Sequence, residues 1–149
     1  MPLADAAIHD YLRTWPLARL ATLNPDGTPH QIPLVFAWCD GLLWSPVDGK
    51  PKAGGQLARV RNILINPRGS LLLDHYAADW TQLWWLRVAV ELSVLRIDTA
   101  SADQRRPAEA AVRALRAKYP QYQTTPVLRD PPTLIAMRPL ALHSWVARG

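Results

Sequence analysis

The chain has 149 residues and a single cysteine, Cys39. That excludes an internal disulfide framework and any zinc site built from cysteines alone, and it fits a reducing compartment. No apolar run approaches the ~18 residues of a membrane-spanning helix; Leu71–Leu73 and Leu83–Leu86 are short and flanked by polar residues. The N-terminus lacks a basic stretch followed by an apolar one, so it does not read as a secretory signal. A cytoplasmic protein with no membrane association is expected. There is no GxGxxG and no P-loop, which excludes Rossmann and Walker phosphate sites. The four histidines, His9, His30, His75 and His143, make no HxxxH or HExxH spacing, so no metal site is expected. Cys39, Asp74 and His75 share no spacing that would make a nucleophile set. Hydrolytic and metal catalysis are therefore rejected, and no catalytic side chain is assigned.

What is present is a globular composition, 49% hydrophobic and 19% charged, of a length expected to form one domain, residues 1–149, with a core of its own. The net charge is +5, but the arginines recur along the chain rather than forming a block. This favours an ordinary basic surface or a small anionic ligand over a polynucleotide, and no nucleic-acid partner is expected.

Punctuation along the chain sets the elements. A short helix over residues 4–13 ends at Trp15-Pro16. A strand over 17–23 runs into Asn24-Pro25-Asp26-Gly27, a strong hairpin turn. The next strand is expected over Pro29–Cys39. Pro29 and Pro33 cannot donate to a ladder, so part of it must be an edge or a bulge that a ligand can reach. Asp40-Gly41 turns into a third strand, Leu42–Val47. After a loop at Gly49–Gly55, a helix runs to about Ile65 with Leu57, Val60 and Leu64 as its apolar face. A strand over 70–76 carries Leu71–Leu73 without alternation, which suggests burial on both faces. One extended strand spans Leu83–Ile97. Ser101 with Gln104 marks a capping box for a helix to Lys118, whose regular part is expected to begin at Pro107. A proline-rich loop over 120–132 precedes one or two closing strands over 133–146. Hairpin-linked strands with interspersed helices argue an antiparallel barrel or sheet in an α+β, mainly β, protein.

Two features carry chemistry. Lys50 and Lys52 stand two apart around Pro51 and are two of the chain's three lysines. In an extended segment they point the same way and can converge on one phosphate, with Arg59 closing a fork on the same oxygens; the other reading is a solvated loop. The second feature is aromatic: Tyr76, Trp80, Trp84 and Trp85 fall within ten residues of one another, among seven tryptophans in all. Trp84 and Trp85, adjacent in a strand, must point to opposite faces, so at most one lines a given pocket. Core or subunit-interface packing is the stronger reading for this pair, since tryptophan is common at interface hot spots.

Residues 21–30 (ATLNPDGTPH) with Ile32–Phe36, and residues 61–71 (RNILINPRGSL), resemble the pyridoxamine-phosphate-oxidase-like split-barrel flavoproteins. Asp48–Lys52, Asp74-His75-Tyr76 through Asp79-Trp80, Leu83-Trp84-Trp85 and Lys118–Tyr122 look like the subgroup that depends on the deazaflavin F420. The resemblance implies a homodimeric split β-barrel of six to seven antiparallel strands with about three helices. It also implies a cofactor at the dimer interface, F420 first and FMN second. The ring would lie around His30, Gln31, Ile32, Pro33, Ser45 and Val47, and the phosphate on Lys50, Lys52 and Arg59. Tyr76, Trp80 and Trp84 would come from either subunit. The implied activity is hydride transfer between the cofactor and a small organic substrate; the alternative is a non-catalytic flavin- or haem-binding protein on the same barrel. The chain is shorter than pyridoxamine-phosphate oxidase and places its lysine loop differently, so the vitamin substrate is not implied.

Overall fold

The computed structural model describes residues 1–48 and 57–147. Helix α1 (Asp5–Thr14) precedes strands β1 (Ala18–Leu23), β2 (Pro29–Leu34), β3 (Ala37–Cys39) and β4 (Leu42–Pro46). Helix α2 (Ala58–Ile65) leads to β5 (Arg68–His75) and β6 (Trp84–Arg96). Helix α3 (Ala102–Lys118) precedes the last strand, β7 (Thr133–Val146). The sheet order is β2-β1-β5-β6-β7-β4-β3, and every pair is antiparallel.

Strands β2 and β3 lie at the two ends of this sheet, yet only Val35 and Phe36 separate them in the chain. The two ends must therefore meet, and the sheet curls into a barrel that is split where β2 passes β4. The strand expected over Pro29–Cys39 is thus two strands with a sharp break. Extending the β3–β4 register, Ala37 to Trp44, would set Ser45 opposite Phe36 and Val47 opposite Leu34, but no ladder forms there among the described residues.

Proline explains the gap. Donors alternate sides along an antiparallel strand. The Val47 amide donates to Thr133 O at 3.0 Å, so Pro46 occupies the position whose N–H would point into the split, and it has none. Across the gap, the Asn24 amide donates to Thr28 O at 2.9 Å. This sets the even residues of β2 toward β1 and leaves Pro29, Gln31 and Pro33 facing the split. Of those three, only Gln31 has an N–H to offer. The edge expected from Pro29 and Pro33 is a property of the fold.

The barrel interior is apolar: Leu20, Leu43, Leu71, Leu73, Leu86 and Val88 are fully buried, with Val60 and Ile63 of α2 in the same cluster. Strand β6 alternates buried and outward residues from Trp84 to Leu92. A second cluster lies outside the barrel, where Ala108, Ala111 and Leu115 of α3 pack on Ala37, Trp44 and Leu134. Residues at the end of α3 fasten the break. The Tyr119 hydroxyl accepts from the Phe36 amide at 3.1 Å and lies within hydrogen-bond reach of Phe36 O and Pro16 O, at 3.0 and 2.9 Å. Lys118 Nζ donates to Phe36 O at 2.9 Å and sits 3.8 Å from the centre of the Phe36 ring.

Three local expectations are corrected. Helix α2 buries Arg59, Val60, Asn62 and Ile63 while Leu64 is 63% exposed, because Asn62 is tied to Thr22 and Asn24 of the first hairpin, at 3.1 Å each. Leu72 is only half-buried between fully buried Leu71 and Leu73, since β5 has one face in the barrel and one outside. Helix α3 begins at Ala102, ahead of Pro107. Both halves of the Ser101–Gln104 capping box form, and the exposed first turns leave Asp103 O, which Pro107 cannot satisfy, to water.

Candidate functional site

The split is bordered by β2 on one side and the end of β4 on the other, with α2 packed alongside. Alternation along β2 turns His30 and Ile32 toward the barrel and Gln31 and Pro33 outward. Along β4, Leu43 and Val47 belong to the barrel cluster, so Ser45 faces the same interior. Three buried side-chain polar atoms have no hydrogen-bond partner among the described residues: His30 Nδ1, Ser45 Oγ and Arg59 Nε. Ser45 is fully buried and Arg59 is 8% exposed. An unsatisfied buried polar atom is costly, and these three sit on the three elements that flank the split.

Past the end of β4, between α2 and the end of β6, opens a cavity of about 710 Å³. Its apolar wall includes Val47, Leu57, Val60 and Leu64, so the stripe read as the buried face of α2 is a cavity wall. The polar side carries Arg96, Thr99, Arg129 and Asp130. Burial pulls the Arg59 pKa below its usual value, Asp48 opposes that shift, and Arg129 reinforces it. Asp48 is itself buried and accepts from the Tyr122 hydroxyl at 2.7 Å; burial first, and then this carboxylate, push the Tyr122 pKa up. Three guanidiniums, Arg59, Arg96 and Arg129, stand at this end of the barrel beside three carboxylates: Arg96 is paired with Asp98 at 2.6 Å, Asp130 lines the same cavity, and Asp48 acts on Arg59. Lys50 and Lys52 lie outside the described residues.

The aromatic residues are elsewhere. Trp84 is 6% exposed, stacked on Tyr11 with centroids 3.7 Å apart and met edge-on by Trp15; it is a core residue under α1. Trp85 lies on the outer face, as expected of the tandem pair. Tyr76 and Trp80 are 75% and 70% exposed. Tyr76 and Trp84 line a second cavity of about 330 Å³. Val94 lines the first cavity and Trp85 the second; nine residues of one strand separate them, about 30 Å. Within one chain, then, the structure places His30 and Ile32 on β2 and Ser45 on β4 with their side chains toward the barrel, brings Arg59 to Asp48, next to Val47, puts the Gln31 and Pro33 backbone at the β2 edge, and keeps Tyr76, Trp80 and Trp84 at another part of the sheet.

Sequence reasoning missed Arg96 and Arg129. Arg96 ends the long β6, and Arg129 lies in the stretch read as a proline-rich loop. The one available signal was a charged Arg129-Asp130 pair inside that loop. It reaches β4 through the Arg129 amide, which donates to Val47 O at 2.9 Å.

No family profile matches the sequence, and no curated protein does. Solved structures do match. An FAD-binding protein from Mesorhizobium loti superposes with a TM-score of 0.70 at 17% identity, covering 97% of this chain and 95% of that one. An F420 reductase gives 0.59 at 23% identity, covering 91% and 94%. HutZ, a heme storage protein from Vibrio cholerae, gives 0.67 at 13% identity, covering 98% and 95%. At these identities the likeness is one of fold. The two-ended sheet closed at Phe36, the split beside β2 and these superpositions together give one conclusion: the chain has the pyridoxamine-phosphate-oxidase-like split-barrel fold.

Proposed function

We propose that the chain is an oxidoreductase that holds a flavin-type cofactor, F420 first and FMN second, at the split, and acts on a small organic substrate at a site completed by a second copy of the chain. The observation that carries this reading is the trio of unpartnered buried atoms, His30 Nδ1, Ser45 Oγ and Arg59 Nε, on the elements bordering the split. A ligand at the split would supply partners to such groups.

The residues fit such a cofactor. The β2 edge offers the Gln31 N–H and the carbonyls of Pro29, Gln31 and Pro33 to a flat polar ring. Ile32 and Val47 give it apolar surface. Arg59, with Lys50 and Lys52, matches a phosphate. The cofactor, when bound, supplies the hydride chemistry. The chain's part is to orient the ring, neutralise the phosphate and exclude water, which requires no nucleophile or metal set. In the proposed dimer, Tyr76 and Trp80 of one copy would serve the split of the other.

A second reading is a non-catalytic flavin- or haem-binding protein. It is favoured by the likeness to HutZ and by His75, which lines the second cavity and meets Trp15 edge-on at 5.9 Å. Fluorescence titration with FMN and with F420, beside an absorbance titration with haem, separates the readings. Saturable binding of either flavin-type cofactor supports the first. A Soret band lost in His75→Ala or His143→Ala, with no affinity for either flavin-type cofactor, replaces it with haem binding.

A further inference from the structure

The second cavity has a chemistry of its own. It opens on the outer face of the β5–β6–β7 sheet, where the register sets Asp74, Trp85 and Trp145 in one row and Leu72, Arg87 and His143 in the next. Trp85, Trp145 and Tyr76 give it flat aromatic walls and Leu72 an apolar patch. Such walls favour a planar ring in stacked or edge-on contact.

Its charge is unbalanced. Two carboxylates lie on this face of β5 and β6, and both are engaged: Asp74 pairs with Arg19, and Glu91 pairs with Arg138 at 3.0 Å. Arg87 is flanked by Leu72 and His143 across the two ladders, and among the described residues it makes no ion pair. Its guanidinium carbon lies 5.6 Å from the centroid of the Trp85 ring. A guanidinium laid beside an aromatic wall, with no ion pair among the described residues and with the cavity's own carboxylate, Asp74, held by Arg19, is suited to a carboxylate carried on a ring.

We propose that this cavity binds a planar aromatic anion, with Arg87 taking the carboxylate and Trp85, Trp145 and Tyr76 enclosing the ring. At about 330 Å³ it lies at the lower end of small-molecule pockets, which suits one or two fused rings. Calling this ligand the substrate of the oxidoreductase rests on the reading above; the binding itself does not.

The test is a tryptophan-fluorescence titration of the full chain, with no cofactor added, using 2-naphthoate and its neutral analogue 2-naphthylmethanol. The expected result is saturable 2-naphthoate binding that Arg87→Gln weakens about tenfold, the scale of one partly solvated charged hydrogen bond. Affinity for 2-naphthylmethanol is weaker and the same in both proteins, and Arg138→Gln, which removes the paired arginine, leaves 2-naphthoate binding unchanged. Equal binding by Arg87→Gln, equal loss in Arg138→Gln, or no saturable binding overturns the proposal. A failed titration with a dimer that Trp145→Ala dissociates reassigns the cavity to the contact between copies. Naphthoate binding without affinity for FMN or F420 leaves the cavity assignment standing and removes the enzymatic reading; the reverse pattern does the opposite.

Discussion

Ser45 tests the reading most sharply at the scale of one residue. Its hydroxyl is buried without a partner among the described residues, so in the free protein it costs stability. Ser45→Ala should raise the unfolding free energy by about 1 kcal/mol in urea melts, and should weaken cofactor binding if the ligand supplies the missing partner. Higher stability with unchanged affinity would detach Ser45 from the site. Lys118 gives a pH signature. Burial pulls it from 10.5 to about 8, against its hydrogen bond to Phe36 O and its ring contact, both of which favour the ammonium. Between pH 8 and 10 the unfolded chain holds this proton and the folded chain has released it, so stability should rise with pH. Above pH 10 the trend reverses: burial has pushed Tyr119 up to about 12, and the unfolded chain loses that proton first. Thermal melts of Lys118→Met should lack the rise between pH 8 and 10; an unchanged slope would assign it to another group.

At the scale of elements, local punctuation was readable and long-range closure was not. The turn at Asn24-Pro25-Asp26-Gly27 forms with Gly27 at φ 85° and the Asp26 carboxylate accepting from Thr28. Asp40 and Gly41 both adopt positive φ, and the Ser101–Gln104 box closes as its spacing required. The break at Val35-Phe36 carries no glycine or proline of its own. It is fixed by Tyr119 and Lys118, more than eighty positions away, and no local pattern could announce it. The same holds for the cavity, whose arginines at 96 and 129 meet α2 only in the fold. Where β5 lies between β1 and β6, a side chain on Gly69 would meet Leu92 Cδ1 at 2.6 Å and Ala21 O at 2.9 Å. Because the second of these atoms is backbone, Gly69→Ala should destabilise by about 1–3 kcal/mol, read as a lower urea midpoint. A neutral result would mean that β5 can shift within its two ladders.

For the whole molecule, the barrel places a cavity lined by Arg96, Arg129 and Asp130 at one end and an aromatic cavity about 30 Å away along β6, with the proline-bearing β2 at one end of the sheet order. Lys50 and Lys52 lie outside the described residues and remain the phosphate contacts proposed on sequence grounds. The central claim is that a phosphate-bearing flavin-type cofactor binds at the split, and the most direct measurement is an equilibrium fluorescence titration of the full chain with F420 and with FMN, for the wild type and for Lys50→Ala/Lys52→Ala. The account predicts saturation at one cofactor per chain for at least one of the two, and an affinity loss of roughly tenfold or more in the double variant with an unchanged thermal midpoint. No saturable binding of either cofactor by the wild type, or equal affinity in the double variant, would contradict it.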